Sequence, residues 1–285
     1  MAEVLLDTLK DTAKLLPFLF LTYLIMEYLE HRTGGKTARF VGNAGRLGPL
    51  LGAAAGVVPQ CGFSAAAASL FSGGVISVGT LLAIFLSTSD EMLPILISEA
   101  VRVSTIVKIL LTKLAIGAVT GFALDLIFRN FLSSRSEKEK DIHDLCQQEH
   151  CHCQEGIWRS ALRHTLQIAF FIFLVSLVIG LLIRLAGEDA LAGFLTGQPV
   201  LGVFLAALIG LIPNCASSVV LTELYLQGAL GSGQMMAGLL VGAGVGILVL
   251  FRTNHRMEEN LKITGILYAV GVLWGLLIEV VGVVF

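Results

Sequence analysis

Charge is what this sequence has least of. Only 14% of its 285 residues are Asp, Glu, Lys or Arg, where soluble domains carry about a quarter, and the mean hydropathy is +0.85. An ordinary soluble domain is thereby excluded. No stretch is basic enough for nucleic acid, and a net charge of −2 names no partner. The five cysteines include no Cys-x-x-Cys pair, and no cofactor fingerprint is present, so nothing argues for an enzyme. Aromatics are modest at 8% while glycine is abundant at 31 residues, the balance of helices that approach closely through small side chains. Glu3, Asp7, Lys10, Asp11 and Lys14 precede the first apolar run, and no small-residue cleavage site follows it. That segment is expected to stay as a helix rather than leave as a signal peptide. What remains is an integral membrane protein, all-α and polytopic.

The chain also says nearly the same thing twice. Gly48 to Phe128 aligns without a gap on Gly202 to Gly282, a constant shift of 154, with roughly 19 of 81 positions identical, well above chance for so apolar a chain. Gly56 to Ser64 (GVVPQCGFS) faces Gly210 to Ser218 (GLIPNCASS). Lys108, Gly117 and Gly121 face Lys262, Gly271 and Gly275, and Asp125 faces Glu279. An opening helix precedes each copy, Leu9 to Thr12 matching Leu162 to Thr165 after a one-residue adjustment. The expected organisation is a first transmembrane repeat over 1–128, a charged linker over 129–160 and a second repeat over 161–285. Full spans are expected at Leu15 to Leu29, Ile76 to Ile97, Ile106 to Phe128 and their counterparts from Ala161 onward.

Between the opening helix and the long spans each repeat holds an interrupted segment. Its halves, Gly48 to Val58 and Gly62 to Ser72 in the first copy, have about 11 residues each, roughly 16 Å of helix or half a hydrocarbon core. The loop after the first helix carries Arg32, Lys36, Arg39 and Arg46, against Arg184 with Glu188 and Asp189 in the second copy. Arg252, Arg256 and Lys262 enrich the later loop of the second copy, against Arg102 and Lys108 in the first. Positive charge thus changes loops between copies, as an inverted repeat requires. Inversion needs an odd number of crossings per unit, so the interrupted segment is expected to be a re-entrant or short-helix hairpin, with the amino terminus outside and the linker cytoplasmic.

Three groups of residues can carry chemistry. The hairpin tips offer Pro59, Gln60, Cys61 and Ser64 with Pro213, Asn214, Cys215 and Ser218. Proline frees backbone carbonyls, and unpaired backbone at membrane depth survives only in a protein interior or a lined cavity. A packing kink with Cys as a small buried hydrophobe is the bland alternative. Ser87, Thr88, Ser89, Asp90 and Glu91 interrupt the apolar window from Ile76 to Ile97. Two mid-membrane carboxylates would cost about 6 kcal/mol unless a cation or proton neutralises them; a solvated loop between two helices is the alternative. Glu223 is a further candidate ligand or proton carrier, whereas Asp125 and Glu279 are expected to be structural. The third group is the linker tract His143, Cys146, His150, Cys151, His152 and Cys153, a compositional metal-binding signal with disulfide or redox chemistry as its rival.

The PQCGFS and PNCASS tips together with STSDE resemble those of a bacterial and archaeal family of ten-helix heavy-metal exporters, whose members are labelled arsenic efflux protein or manganese transporter. The resemblance implies a plasma-membrane exporter of five plus five helices and points to Gln60, Cys61, Asp90, Glu91, Asn214 and Cys215; the linker tract is not carried over. The function expected is secondary transport of a transition-metal ion, Mn²⁺ first, by alternating access with H⁺ exchange. The ion is substrate rather than cofactor, the bilayer is the other partner, and a homo-oligomer is compatible. One rival is an arsenite or inorganic-anion exporter or channel, against which stands the lack of Arg or Lys beside either tip in sequence. The other is a thiol oxidoreductase pairing Cys61 with Cys215.

Overall fold

The computed structural model describes residues 47–58, 61–89, 92–132, 199–283 and 285, with isolated helical positions between 8 and 24 and between 158 and 178. No strand occurs among the described residues. Five helices fall in the first copy: α1 Gly48–Gly56, α2 Cys61–Ser72, α3 Val78–Ser87, α4 Met92–Ser98 and α5 Val103–Leu132. Five follow in the second: α6 Pro199–Gly210, α7 Cys215–Leu226, α8 Ser232–Val241, α9 Val245–Thr253 and α10 Met257–Val281. The duplication extends to the bounds, because α2 and α3 shifted by 154 residues coincide with α7 and α8.

Local chemistry explains the repeated bounds. The turn after α2 needs Gly74 at φ +72°, and the turn after α7 needs Gly228, its counterpart, at φ +75°; left-handed backbone is cheap only for glycine. Ser77 caps α3 by accepting from the Thr80 amide at 3.1 Å, while at α8 the Gly231 amide donates to Gln234 Oε1 at 2.9 Å. The opening helices share a detail as well. Thr12 donates to the Thr8 carbonyl, and Thr165 donates to the Ala161 carbonyl.

One expectation needs correcting. The window from Ile76 to Ile97 is not an unbroken helix: α3 stops at Ser87 and α4 starts at Met92. The second copy breaks at the same level, between Val241 and Val245, where Gly244 has φ +52°. In the first copy Ser87, Thr88 and Ser89 are buried, at 0%, 2% and 1% exposed, while Asp90 and Glu91 lie outside the described residues. Taken through their breaks, Val78–Ser98 and Ser232–Thr253 are long and apolar enough to span a bilayer, as are Val103–Ile127 and Met257–Val281.

Close contacts set the direction in which the helices run. A Cβ on Gly48, Gly52 or Gly56 would press in turn on Thr80, Ile84 and Ser87, so α1 lies along α3 in the same direction. Ser64 at the start of α2 and Phe85 near the end of α3 both adjoin Gly246, so α2 returns antiparallel to α3. Gly246 at the start of α9 meets Ser64, and Thr253 at its end shares a hydrogen bond of 2.7 Å with Ser72. Helices α2 and α9, one from each copy, are therefore parallel. Along α10, Gly275 and Glu279 adjoin Gly233, Gly271 adjoins Val241, and Asn260 bonds Asn254. Hence α8 and α9 run in one direction, opposite to α10.

A single apolar core crosses the two copies, joining Leu81, Leu82, Phe85 and Met92 to Met235, Leu239, Leu240 and Leu250. The broken helices are central and the long ones peripheral: 83% of the α8–α9 window is buried against 33% of α10. Leu111, Val119 and Leu126 on α5, and Leu261, Leu273 and Val280 on α10, face outward, as lipid-facing positions do. Helices α3 and α5 cross through small residues, and a Cβ on Gly79 would collide with the Gly121 carbonyl. Their counterparts Gly233 and Gly275 repeat the crossing, the small-xxx-small packing of membrane helices. Gly79→Ala is expected to lower the unfolding free energy in detergent by about 1–3 kcal/mol, the usual cost of overpacking. Gly265, with open space around its Cα, serves as control, and Gly265→Ala should be neutral or gain up to about 1 kcal/mol.

Candidate transport site

The joint between α3 and α4 is built from its hydroxyls. Ser87 donates to the Ala83 carbonyl at 2.8 Å and to that of Ile84 at 3.1 Å, and Thr88 donates to Ile84 at 2.7 Å. These hydroxyls add a second donor to carbonyls the ladder already serves, Ile84 O accepting the Thr88 amide as well, a back-bonding that loosens a helix near its end. Ser89 reaches across instead, donating to the Val57 carbonyl at 2.6 Å. That bond ties the joint to the end of α1.

A charge that was overlooked in the sequence holds this region to the second copy. Lys113, in α5, is fully buried. Its ammonium donates to the Thr88 carbonyl, and to the Leu239 carbonyl at 2.8 Å. Both acceptors sit at the ends of interrupted helices. Met92, four residues beyond Thr88, gives its amide to Ser89, and Ala243, four beyond Leu239, gives its amide to Val241. The regular ladder thus leaves both carbonyls to another donor. Helix carboxyl ends carry partial negative charge, and Lys113 brings a positive charge to two of them. The signal was present in sequence as a lysine well inside the apolar window from Ile106 to Phe128, which in a membrane helix marks function by default. Its repeat counterpart is Leu267, buried and apolar. Lys113 thus brings a buried cation to the first break, 52 residues from Cys61 in sequence.

The second tip is the turn from Leu211 to Asn214. Asn214 is half-buried; its amide donates to the Ile212 carbonyl at 2.7 Å, and its own carbonyl accepts from the Ser217 hydroxyl at 2.8 Å. Ser64 and Ser218 are buried at the first turns of α2 and α7. Cys61 and Cys215 open those helices, with their side chains outside the described residues. Gln60, Asp90, Glu91 and the linker residues His143, Cys146, His150, Cys151, His152 and Cys153 also lie outside them. Among the described residues no group of three or more His, Cys, Asp or Glu is gathered. Glu223 is exposed on α7, two turns beyond the tip.

Asp125 and Glu279 have the structural role expected of them. Asp125 accepts from the Ser77 hydroxyl at 2.7 Å and the Gly79 amide at 2.9 Å, and Glu279 accepts from the Gly233 amide at 2.9 Å. Each carboxylate thus caps the amino end of a central broken helix, where its charge complements the dipole.

A protein family described as "Putative, 10TM heavy-metal exporter" matches residues 1–186, more than half of the chain. No curated protein and no solved structure matches it.

Asp125→Ala is expected to cost about 1 kcal/mol of stability, as the loss of a helix cap does, and Ser89→Ala about the same for its buried hydrogen bond. Thermal unfolding in detergent checks both. Mn²⁺ affinity by calorimetry should be unchanged in Asp125→Ala, and a loss there would move Asp125 into the ligand set.

Proposed function

The chain belongs to the family of ten-transmembrane heavy-metal exporters, and from that premise we propose that it is a secondary transporter that carries a transition-metal ion, Mn²⁺ first, out across the plasma membrane by alternating access. The observation that carries the reading is the bridge at Lys113, which joins a helix break of one copy to a helix end of the other in a fully buried place. Discontinuous helices from two repeats, meeting in the interior, are how transporters assemble an ion site without exposing backbone to lipid.

The run directions support an inverted duplication. Helix α2 is antiparallel to α3 and parallel to α9, while α8 and α9 share a direction; α3 and its counterpart α8 therefore oppose one another. The parallel course of α1 and α3 and the return of α2 support a hairpin that enters and leaves on one side. On this reading the linker is cytoplasmic, and the ligand set is Gln60, Cys61, Asp90, Glu91, Asn214 and Cys215. Ser64, Ser87, Thr88 and Ser218 stand beside it, and the linker His and Cys residues act as a separate capture tract. Carboxylate and amide oxygens suit Mn²⁺, and two thiols widen the choice toward Zn²⁺. Asp90 and Glu91 exchange metal for H⁺, and Glu223, exposed on α7, serves as a proton carrier rather than a ligand.

Lys113 also supports a second reading, export of arsenite or an inorganic anion, because it places a buried positive charge at the first break. Proteoliposomes loaded with Mn²⁺, Zn²⁺, arsenite or sulfate separate the two. The expected result is Mn²⁺ flux that falls about tenfold or more in Asp90→Asn, the factor for about 1.4 kcal/mol of lost binding. Unchanged Mn²⁺ flux in that variant would end the carboxylate role, and anion flux that survives it would favour the second reading.

A further inference from the structure

We propose that Lys113 is a tethered counter-cation, its ammonium filling a monovalent-cation site made by the carbonyl ends of two broken helices, so that the protein works without Na⁺ or K⁺ from solution. The part of this inference that concerns transport rests on the reading above; the part that concerns the cation site does not.

Burial states the problem. A lysine inside an apolar span costs about 2.5–3.5 kcal/mol even on the mildest insertion scales, and Lys113 is fully buried. The acceptors state the solution. Thr88 O is one residue past the end of α3, and Leu239 O lies in the last turn of α8. The amides that a continuous helix would offer them are spent on Ser89 and Val241. Two orphan carbonyls at the negative ends of two helix dipoles form a cradle for a cation. In transporters built from interrupted helices, such carbonyl ends hold the coupling Na⁺. Here the cation arrives on a side chain.

Position gives the cation its reach. One acceptor belongs to each copy, so the charge bonds both halves at once. Thr120 on α5 and its counterpart Trp274 on α10 touch through a hydrogen bond of 3.2 Å, a second polar contact between the copies. At Lys113 one cation serves two breaks. The chain supplies one, with lysine in the first copy and Leu267 in the second. The Thr88 and Leu239 acceptors are neutral carbonyl oxygens, ligands of the kind that also hold alkali ions. Removing the lysine side chain should therefore convert an internal requirement into an external one.

The test compares native protein with Lys113→Ala and Lys113→Gln in NaCl, KCl and choline chloride at equal ionic strength. Thermal unfolding in detergent is expected to be the same in all three salts for the native chain. For Lys113→Ala the midpoint falls in choline and recovers saturably with Na⁺ or K⁺; Lys113→Gln, which keeps a hydrogen-bond donor without the charge, shows the same dependence if the alanine variant cannot be purified. In proteoliposomes, native Mn²⁺ flux ignores the salt, whereas flux through the variant requires Na⁺ or K⁺. A native requirement for either ion would overturn the inference, as would variants whose loss is equal in all three salts. Alkali-dependent stability without Mn²⁺ flux in any form keeps the cation site and removes the transport reading. Native Mn²⁺ flux with variants blind to the salt does the reverse.

Discussion

A backbone that stops being helical inside a bilayer must find partners for its amides and carbonyls, and that constraint organises the centre of this protein. Each unsatisfied group costs several kcal/mol in hydrocarbon, yet the chain interrupts two central spans at equivalent places. The first interruption is satisfied by hydroxyls turned back on the last turn of α3, by Ser89 on the end of α1, and by Lys113 on Thr88. The second is satisfied in part by the same lysine through Leu239. The breaks are thus paid for locally and then tied together.

The duplication divides labour between its copies. Asp125 and Glu279 cap the same helix end, Gly74 and Gly228 turn the same corner, and Gly79 with Gly121 crosses as Gly233 does with Gly275. At the breaks the copies part company. The first has Ser87, Thr88, Ser89, Asp90 and Glu91 with Lys113, and the second has Gly242, Ala243 and Gly244 with Leu267. One copy supplies polar groups, and the other supplies backbone that lets a neighbour approach.

Much of this was legible from residues alone. A shift of 154 located the short helices α2 and α7 before any coordinates, and the half-span length of the GVVPQC segment foretold that α1 and α2 would be separate. The structural role of Asp125 and Glu279 followed from their place near helix ends. The broken span did not follow, because hydropathy averaged from Ile76 to Ile97 stays high across a short polar joint. The described part of that segment, Ser87, Thr88 and Ser89, is buried with its hydroxyls bonded to helix ends. Lys113 was passed over for a related reason. Its importance lies in Thr88 and Leu239, which are 25 and 126 residues away, and main-chain acceptors leave no trace in residue type.

The acceptor type also bears on how such a protein can move. A buried lysine held by a carboxylate would be locked, because parting two opposite charges in the interior costs about 3–5 kcal/mol. Two of the bonds that Lys113 makes are to neutral carbonyls, and a hydrogen bond to a charged group is worth about 1.5–3 kcal/mol. The two halves can slide at that bridge by exchanging one carbonyl for another, since every turn of a frayed helix end offers more of them. The flanking Gly244 and the Ser-Thr-Ser joint place adaptable backbone on both sides. A cation on a flexible stem, bonded to one helix end of each copy, keeps the repeats together through bonds that can be exchanged.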